Sequence, residues 1–127
     1  MELVDIFKAL GDENRLRIFN VLIHGELCVC EIESVLGLNQ SNVSRHLNKL
    51  KSTRLIISRK DAQWIYYSVD PGFAEENANL ISYLKDKFAS TDFSADSARL
   101  YAYKDSKFTC VDLRKDPSDV MNNLNTK

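Results

Sequence analysis

Residues 30–50 read CEIESVLGLNQSNVSRHLNKL, and the order of apolar stripe, turn and polar cluster in this stretch decides the fold. Ile32, Val35 and Leu36 share one face of a short helix predicted from Cys30 to Leu36. Gly37, Leu38 and Asn39 then read as a tight turn, because Gly tolerates the backbone that stops a helix and Asn39 can cap the next one. In that next helix Val43, Leu47 and Leu50 recur at i, i+4 and i+7, which buries one stripe. Gln40, Ser41, Asn42, Ser44 and Arg45 are left facing outward near its start. Gln and Asn suit adenine edges, Arg suits guanine and Ser suits phosphate, so the second helix reads as a recognition helix for a DNA major groove. Each residue alone is ordinary solvated polarity; only the turn and the polar face together carry the reading.

The charge distribution agrees. The chain has 127 residues and a formal charge of −1. Residues 40–60 nevertheless hold Arg45, Lys49, Lys51, Arg54, Arg59 and Lys60 with no acidic residue, so this segment is +6 and the rest is −7. A basic island on an acidic body is the footprint of a phosphate-facing surface. The expected DNA-contacting set is therefore Gln40, Ser41, Asn42, Ser44, Arg45 and Lys49, with Arg59 and Lys60.

Working outward, Leu3, Ile6, Phe7 and Leu10 follow helical spacing up to Gly11, and Asp12 is a good cap for a second helix carrying Leu16, Phe19, Leu22 and Ile23. Downstream, residues 55–60 and 64–69 are β-prone runs separated by Asp61, Ala62 and Gln63, which predicts a hairpin serving as a wing. Asp70 and Pro71 open a helix expected to run from Pro71 to Phe88, which with the first helix would form a homodimer interface. The fold expected is mainly α with a small β-hairpin, a homodimeric winged helix-turn-helix over residues 1–89. Residues 90–127 read as an extension carrying Cys110, in which 100–103 and 108–111 add short strands or pack on the body and the last dozen residues are disordered. No apolar run is long enough to span a membrane, and MELVDIFKAL is not built like a secretory leader, so the chain reads as cytoplasmic with no membrane partner.

Three cysteines in a reducing compartment do not make a disulfide framework. Cys28 and Cys30 at the start of a helix gain thiolate character from unpaired N–H groups, which favours a thiophilic metal or metalloid. Residues i and i+2 of a helix point about 200° apart, so one ion reaches both only if that turn unwinds, and the unwinding would travel into the helix-turn-helix. The bland alternative is a pair of small buried hydrophobes. His24 lies close enough to Cys28 in sequence to be a further ligand, whereas His46 reads as a packing or phosphate-facing residue.

Three motifs resemble the ArsR/SmtB family of metal-responsive repressors over roughly residues 1–88: ALGDENRLRI at 9–18, SRHL at 44–47 with Leu50, and ELCVCEI at 26–32. The last is similar to the segment that marks arsenite-binding members. The resemblance implies repression of double-stranded operator DNA bearing an inverted repeat, with no cofactor needed for DNA binding and with release on binding arsenite or antimonite. The arsenite pattern continues to a third cysteine where this chain has Glu33, so beside Cys28 and Cys30 the third sulfur comes from Cys110, from an exogenous thiol or from nothing. Arg54 and Ala62 stand where the family has glycines, so left-handed backbone there would be strained. Alternatives are the same fold sensing cadmium, lead, zinc, persulfide or oxidants, a protein-binding winged helix, and a thiol–disulfide enzyme, the last disfavoured by the absence of strand–helix alternation.

Overall fold

A computed structural model describes residues 3–90, 92–106 and 108–115. In chain order it contains α1 (Leu3–Leu10), α2 (Glu13–Ile23), β1 (Leu27–Cys28), α3 (Val29–Leu36), α4 (Gln40–Ser52), β2 (Ile56–Asp61), β3 (Trp64–Val69), α5 (Pro71–Glu76), α6 (Ala78–Ala89), α7 (Ser94–Asp105) and α8 (Cys110–Lys115). The Asp12 carboxylate accepts the N–H groups of Asn14 and Arg15 at 2.9 and 3.1 Å and so starts α2. Gly37 takes the left-handed conformation (φ 67°) that ends α3, and Asn39 accepts the Asn42 N–H at 2.9 Å to start α4. The helix-turn-helix is thus defined by the residue types that predicted it.

Its core joins Ile18, Phe19 and Leu22 of α2, Ile32 and Val35 of α3, and Val43, Leu47 and Leu50 of α4, all essentially buried. Burying each such side chain is worth roughly 1.5–3 kcal/mol, enough to hold α4 at a set angle with its polar side outward. The sheet order is β1-β3-β2, all antiparallel. The hairpin of β2 and β3 is the expected wing. Its third strand was not foreseen: Leu27 and Cys28 pair with Tyr67 and Tyr66, which ties the cysteine segment to the wing.

Arg54 and Ala62 do adopt positive φ, 63° and 56°. In the two-residue loop between Asp61 and Trp64, Ala62 takes the sign that a II′ turn requires at its first position. The helix expected over 71–88 is two helices, because Asn77 leaves helical geometry (φ −122°, ψ 39°), donating its backbone N–H to the Phe73 carbonyl to close α5 and opening α6.

The segments at 100–103 and 108–111 are helical, not strands, and they pack on the body. Helix α7 lies against α2 and α3, and α8 against α3, with Leu100, Tyr103 and Leu113 inside the common core. A buried polar network fixes α7. Asp96 accepts two hydrogen bonds from Arg17, at 2.8 and 3.0 Å, and one from Arg99 at 2.7 Å. Asn20 donates to Ser97 Oγ and the Phe93 carbonyl. The expectation of disorder over the last dozen residues lies outside the described residues. Among those described, no helix is long and apolar enough to cross a membrane.

Candidate metal centre and nucleic-acid interface

Helix α4 presents Gln40, Ser41, Arg45, Asn48 and Lys49 exposed on one side, with Asn42 and Ser44 half-buried beside them. Ser41 Oγ donates to Asn39 Oδ1 at 3.0 Å, and Arg45 Nη2 donates to Asn42 Oδ1 at 3.2 Å. Asn42 therefore orients the arginine and is not itself fully outward. His46 is buried, its Nδ1 3.4 Å from Arg15 and its Nε2 3.8 Å from Asp12. Burial pushes its pKa below the ordinary value, so the neutral ring ties α4 to the start of α2. Lys60 is exposed on the wing. Arg59, expected to face phosphates, is engaged within the chain: it donates to both Glu26 oxygens, at 2.7 and 2.6 Å, and its guanidinium lies 4.7 Å from the Tyr66 ring centre.

Cys28 is the last residue of β1 and the cap of α3, extended at φ −86°, ψ 167°. It is not in the helix, so it needs no unwinding to leave the α3 axis. Its sulfur stands 2.6 Å from that of Cys110, and both thiols are free. Cys28, Glu31 and Cys110 each offer a ligand atom, all within 4.8 Å of one another. Cys30, one residue into α3, lies outside that set, although it lines the same surface cleft as Cys28, Trp64 and Leu113. Glu31 anchors the cluster: Oε1 accepts the Cys28 N–H at 2.9 Å and Oε2 accepts the Tyr103 hydroxyl at 2.7 Å. Helix α8 brings Cys110, and α7 brings Tyr103. His24 faces elsewhere, with Nδ1 3.0 Å from the Tyr101 hydroxyl.

At Cys28 the expected thiolate character is reversed. Burial, and next the adjacent Cys110 sulfur, push the Cys28 thiol well above the ordinary value. Burial pushes Cys110 up to about 11. Burial and the Glu31 carboxylate also push the Tyr103 phenol up, so it is a hydrogen-bond donor. Desolvation outweighs the stabilisation that a helix N-terminus offers a thiolate. The arrangement is two protonated soft donors, close enough for one thiophilic ion to bridge, beside one carboxylate already satisfied by two hydrogen bonds. Glu31 and Tyr103 were missed from sequence because their roles depend on where α7 and α8 dock.

The helix pair, the outward polar face of α4 and the hairpin define a winged helix-turn-helix. Residues 12–58 match the family model described as bacterial regulatory protein, arsR family. The arsenical resistance operon repressor of Escherichia coli is 38% identical over 79 residues, 61% of this chain and 68% of that protein. The chain belongs to the arsR family. The arsenic resistance transcriptional regulator ArsR2 of Pseudomonas putida is 43% identical over 53% of this chain and 59% of its own length. The cadmium resistance transcriptional regulatory protein CadC of Listeria innocua is 44% identical over 50% and 54%. The matched region thus spans little more than half of those two relatives.

Among solved structures, HlyU from Vibrio cholerae matches with a TM-score of 0.61 and 35% identity, covering 68% of this chain and 90% of that one. The homodimeric winged helix-turn-helix DNA-binding domain of a possible ArsR-family regulator from Mycobacterium bovis matches at 0.58 and 28%, covering 67% and 79%. Family and fold are those of DNA-binding transcriptional regulators.

Proposed function

We propose that this chain is a metal-responsive repressor that binds inverted-repeat operator DNA as a homodimer and leaves it when arsenite or antimonite binds at Cys28, with Cys110 and Cys30 as further ligands. The observation that carries this reading is the Cys28–Cys110 pair, because Cys28 sits on β1, in register with Tyr66 of the wing, and starts the first helix of the helix-turn-helix. Two sulfurs are in place, and Cys30 becomes the third if the first turn of α3 opens. A ligand that links the two sulfurs would couple β1 and α3 to α8, and the first two lead directly into the DNA-facing elements.

The dimer is supported by exposed apolar side chains on α1 and α6: Leu3, Val4, Phe7 and Tyr83 are each more than half exposed. Covering such a patch is the ordinary reason for one to exist. Two recognition helices in a dimer must meet half-sites about one helical turn, roughly 34 Å, apart, so a small tilt of α3 and α4 suffices to break the match. A second reading has a specific support: the Glu31 oxygen within the cluster suits a divalent ion such as cadmium better than arsenite.

The test is fluorescence-anisotropy binding to duplex DNA from the protein's own promoter, with arsenite and then cadmium. The expected result is salt-dependent binding that arsenite weakens by about 5- to 150-fold. Release by cadmium and not arsenite selects the second reading. Tight binding that neither ion changes overturns the sensor.

A further inference from the structure

The wing carries a cation engaged by groups of the same chain. Arg59 is the first charged residue of β2, paired across the hairpin with Tyr66. Its guanidinium makes a two-pronged contact with Glu26, a further approach of 3.7 Å to Asp61, and a face-on contact with the Tyr66 ring. Its donors are thus directed at carboxylates of the same chain, although its side chain is 54% exposed and neighbours the exposed Lys60. Glu26 is 33% exposed and lies two residues before Cys28, on the segment leading into β1. Cys28 and Arg59 in turn flank the same residue, Tyr66, on either side of β3.

We propose that Glu26 is an intramolecular competitor of DNA phosphate for Arg59, so that this ion pair holds operator affinity below what the wing could deliver. An arginine fork fits carboxylate and phosphate with the same two-pronged geometry, and it cannot satisfy both at once. An exposed pair is weak enough for a phosphate to displace. Because Glu26 and Tyr66 both adjoin Cys28, the position of β1 sets how firmly Arg59 is withheld.

This inference rests on the DNA-binding reading above, and its test separates the two. Glu26→Gln keeps the size of the side chain and removes its charge. The measurement is affinity for the promoter duplex across a salt series for wild type, Glu26→Gln, Arg59→Ala and the double variant, with thermal unfolding of each as a folding control. The expected result is tighter binding by Glu26→Gln, by about two- to fivefold per subunit, with a salt dependence steeper by about one phosphate contact per subunit. In the Arg59→Ala background the same substitution should change neither quantity. A gain that persists without Arg59 is general repulsion between Glu26 and DNA and overturns the proposal, as does an unchanged affinity in Glu26→Gln. If no variant, wild type included, binds the duplex, the DNA-binding reading itself has failed.

Discussion

Cys28 and Cys110 are 82 positions apart in sequence and 2.6 Å apart at their sulfurs. One closes the strand that touches the wing, and the other begins a helix that packs on α3. A ligand held by both therefore connects the C-terminal helices to the DNA-facing part of the molecule.

The recognition helix predicts two kinds of DNA defect. If Arg45, which donates to Asn42, reads a base as the proposed function requires, Arg45→Ala should cost about 1–3 kcal/mol on the preferred sequence and flatten preference at one position. Lys49→Ala should weaken all sequences alike and reduce the salt slope by about one per subunit. Binding to a panel of singly substituted duplexes separates the two. Uniform loss from Arg45→Ala would assign it to phosphate.

Arg54 and Ala62 hold left-handed backbone that glycine adopts without strain. Arg54→Gly and Ala62→Gly should each raise stability, by up to about 1 kcal/mol once the greater freedom of glycine in the unfolded chain is subtracted. Urea unfolding of each variant checks this. Destabilisation by both would mean that these turns are not strained.

Helix α7 is pinned by Asp96, nearly buried between Arg17 and Arg99. Asp96→Ala leaves Arg17 without its ion-pair partner and should cost about 2–4 kcal/mol, again read by urea unfolding. Since α7 supplies Tyr103 to Glu31, the same variant should also expose Cys110 to alkylating reagents sooner than in wild type.

The two classes of inducer differ in their proton balance. The raised thiol pKa values keep Cys28 and Cys110 protonated near neutrality. A divalent cation must displace those protons, so its affinity should fall by about a hundredfold for each pH unit lost between pH 8 and 6, two protons per site. Arsenite as the neutral hydroxide condenses with each thiol, S–H plus HO–As giving S–As plus water, and releases no proton. Its affinity should be nearly flat over the same range. Titration calorimetry in buffers of different ionisation enthalpy reads the proton count directly. Two protons released on arsenite binding would contradict a site of two protonated thiols.

The helix-turn-helix and the wing were legible because their signals are local. Val43, Leu47 and Leu50 carry a helical period, Gly37 and Asn39 have turn chemistry, and the hairpin shows as two β-prone runs. The strain at Arg54 and Ala62 was legible from the same turn chemistry. The thiol site was legible only in part. Cys28 is marked by the motif that Cys30 shares, but its extended backbone and its pairing with Tyr66 arise from a two-residue strand with no period to read. Cys110, Glu31 and Tyr103 come together through the docking of α7 and α8. That docking rests on Arg17, Asn20 and Asp96, polar residues whose pairing spans more than 70 positions and leaves no trace in spacing. Arg59 shows the converse. Composition marked it as a phosphate contact, and only the fold reveals Glu26 beside it.

The most direct test of the switch is arsenite titration of the preformed protein–DNA complex, followed by anisotropy, for wild type, Cys28→Ser and Cys110→Ser. The account predicts release of DNA from wild type, none from Cys28→Ser, and release from Cys110→Ser only at arsenite concentrations higher by at least about tenfold, a loss of about 1.4 kcal/mol. Release of Cys28→Ser at the wild-type concentration would contradict it.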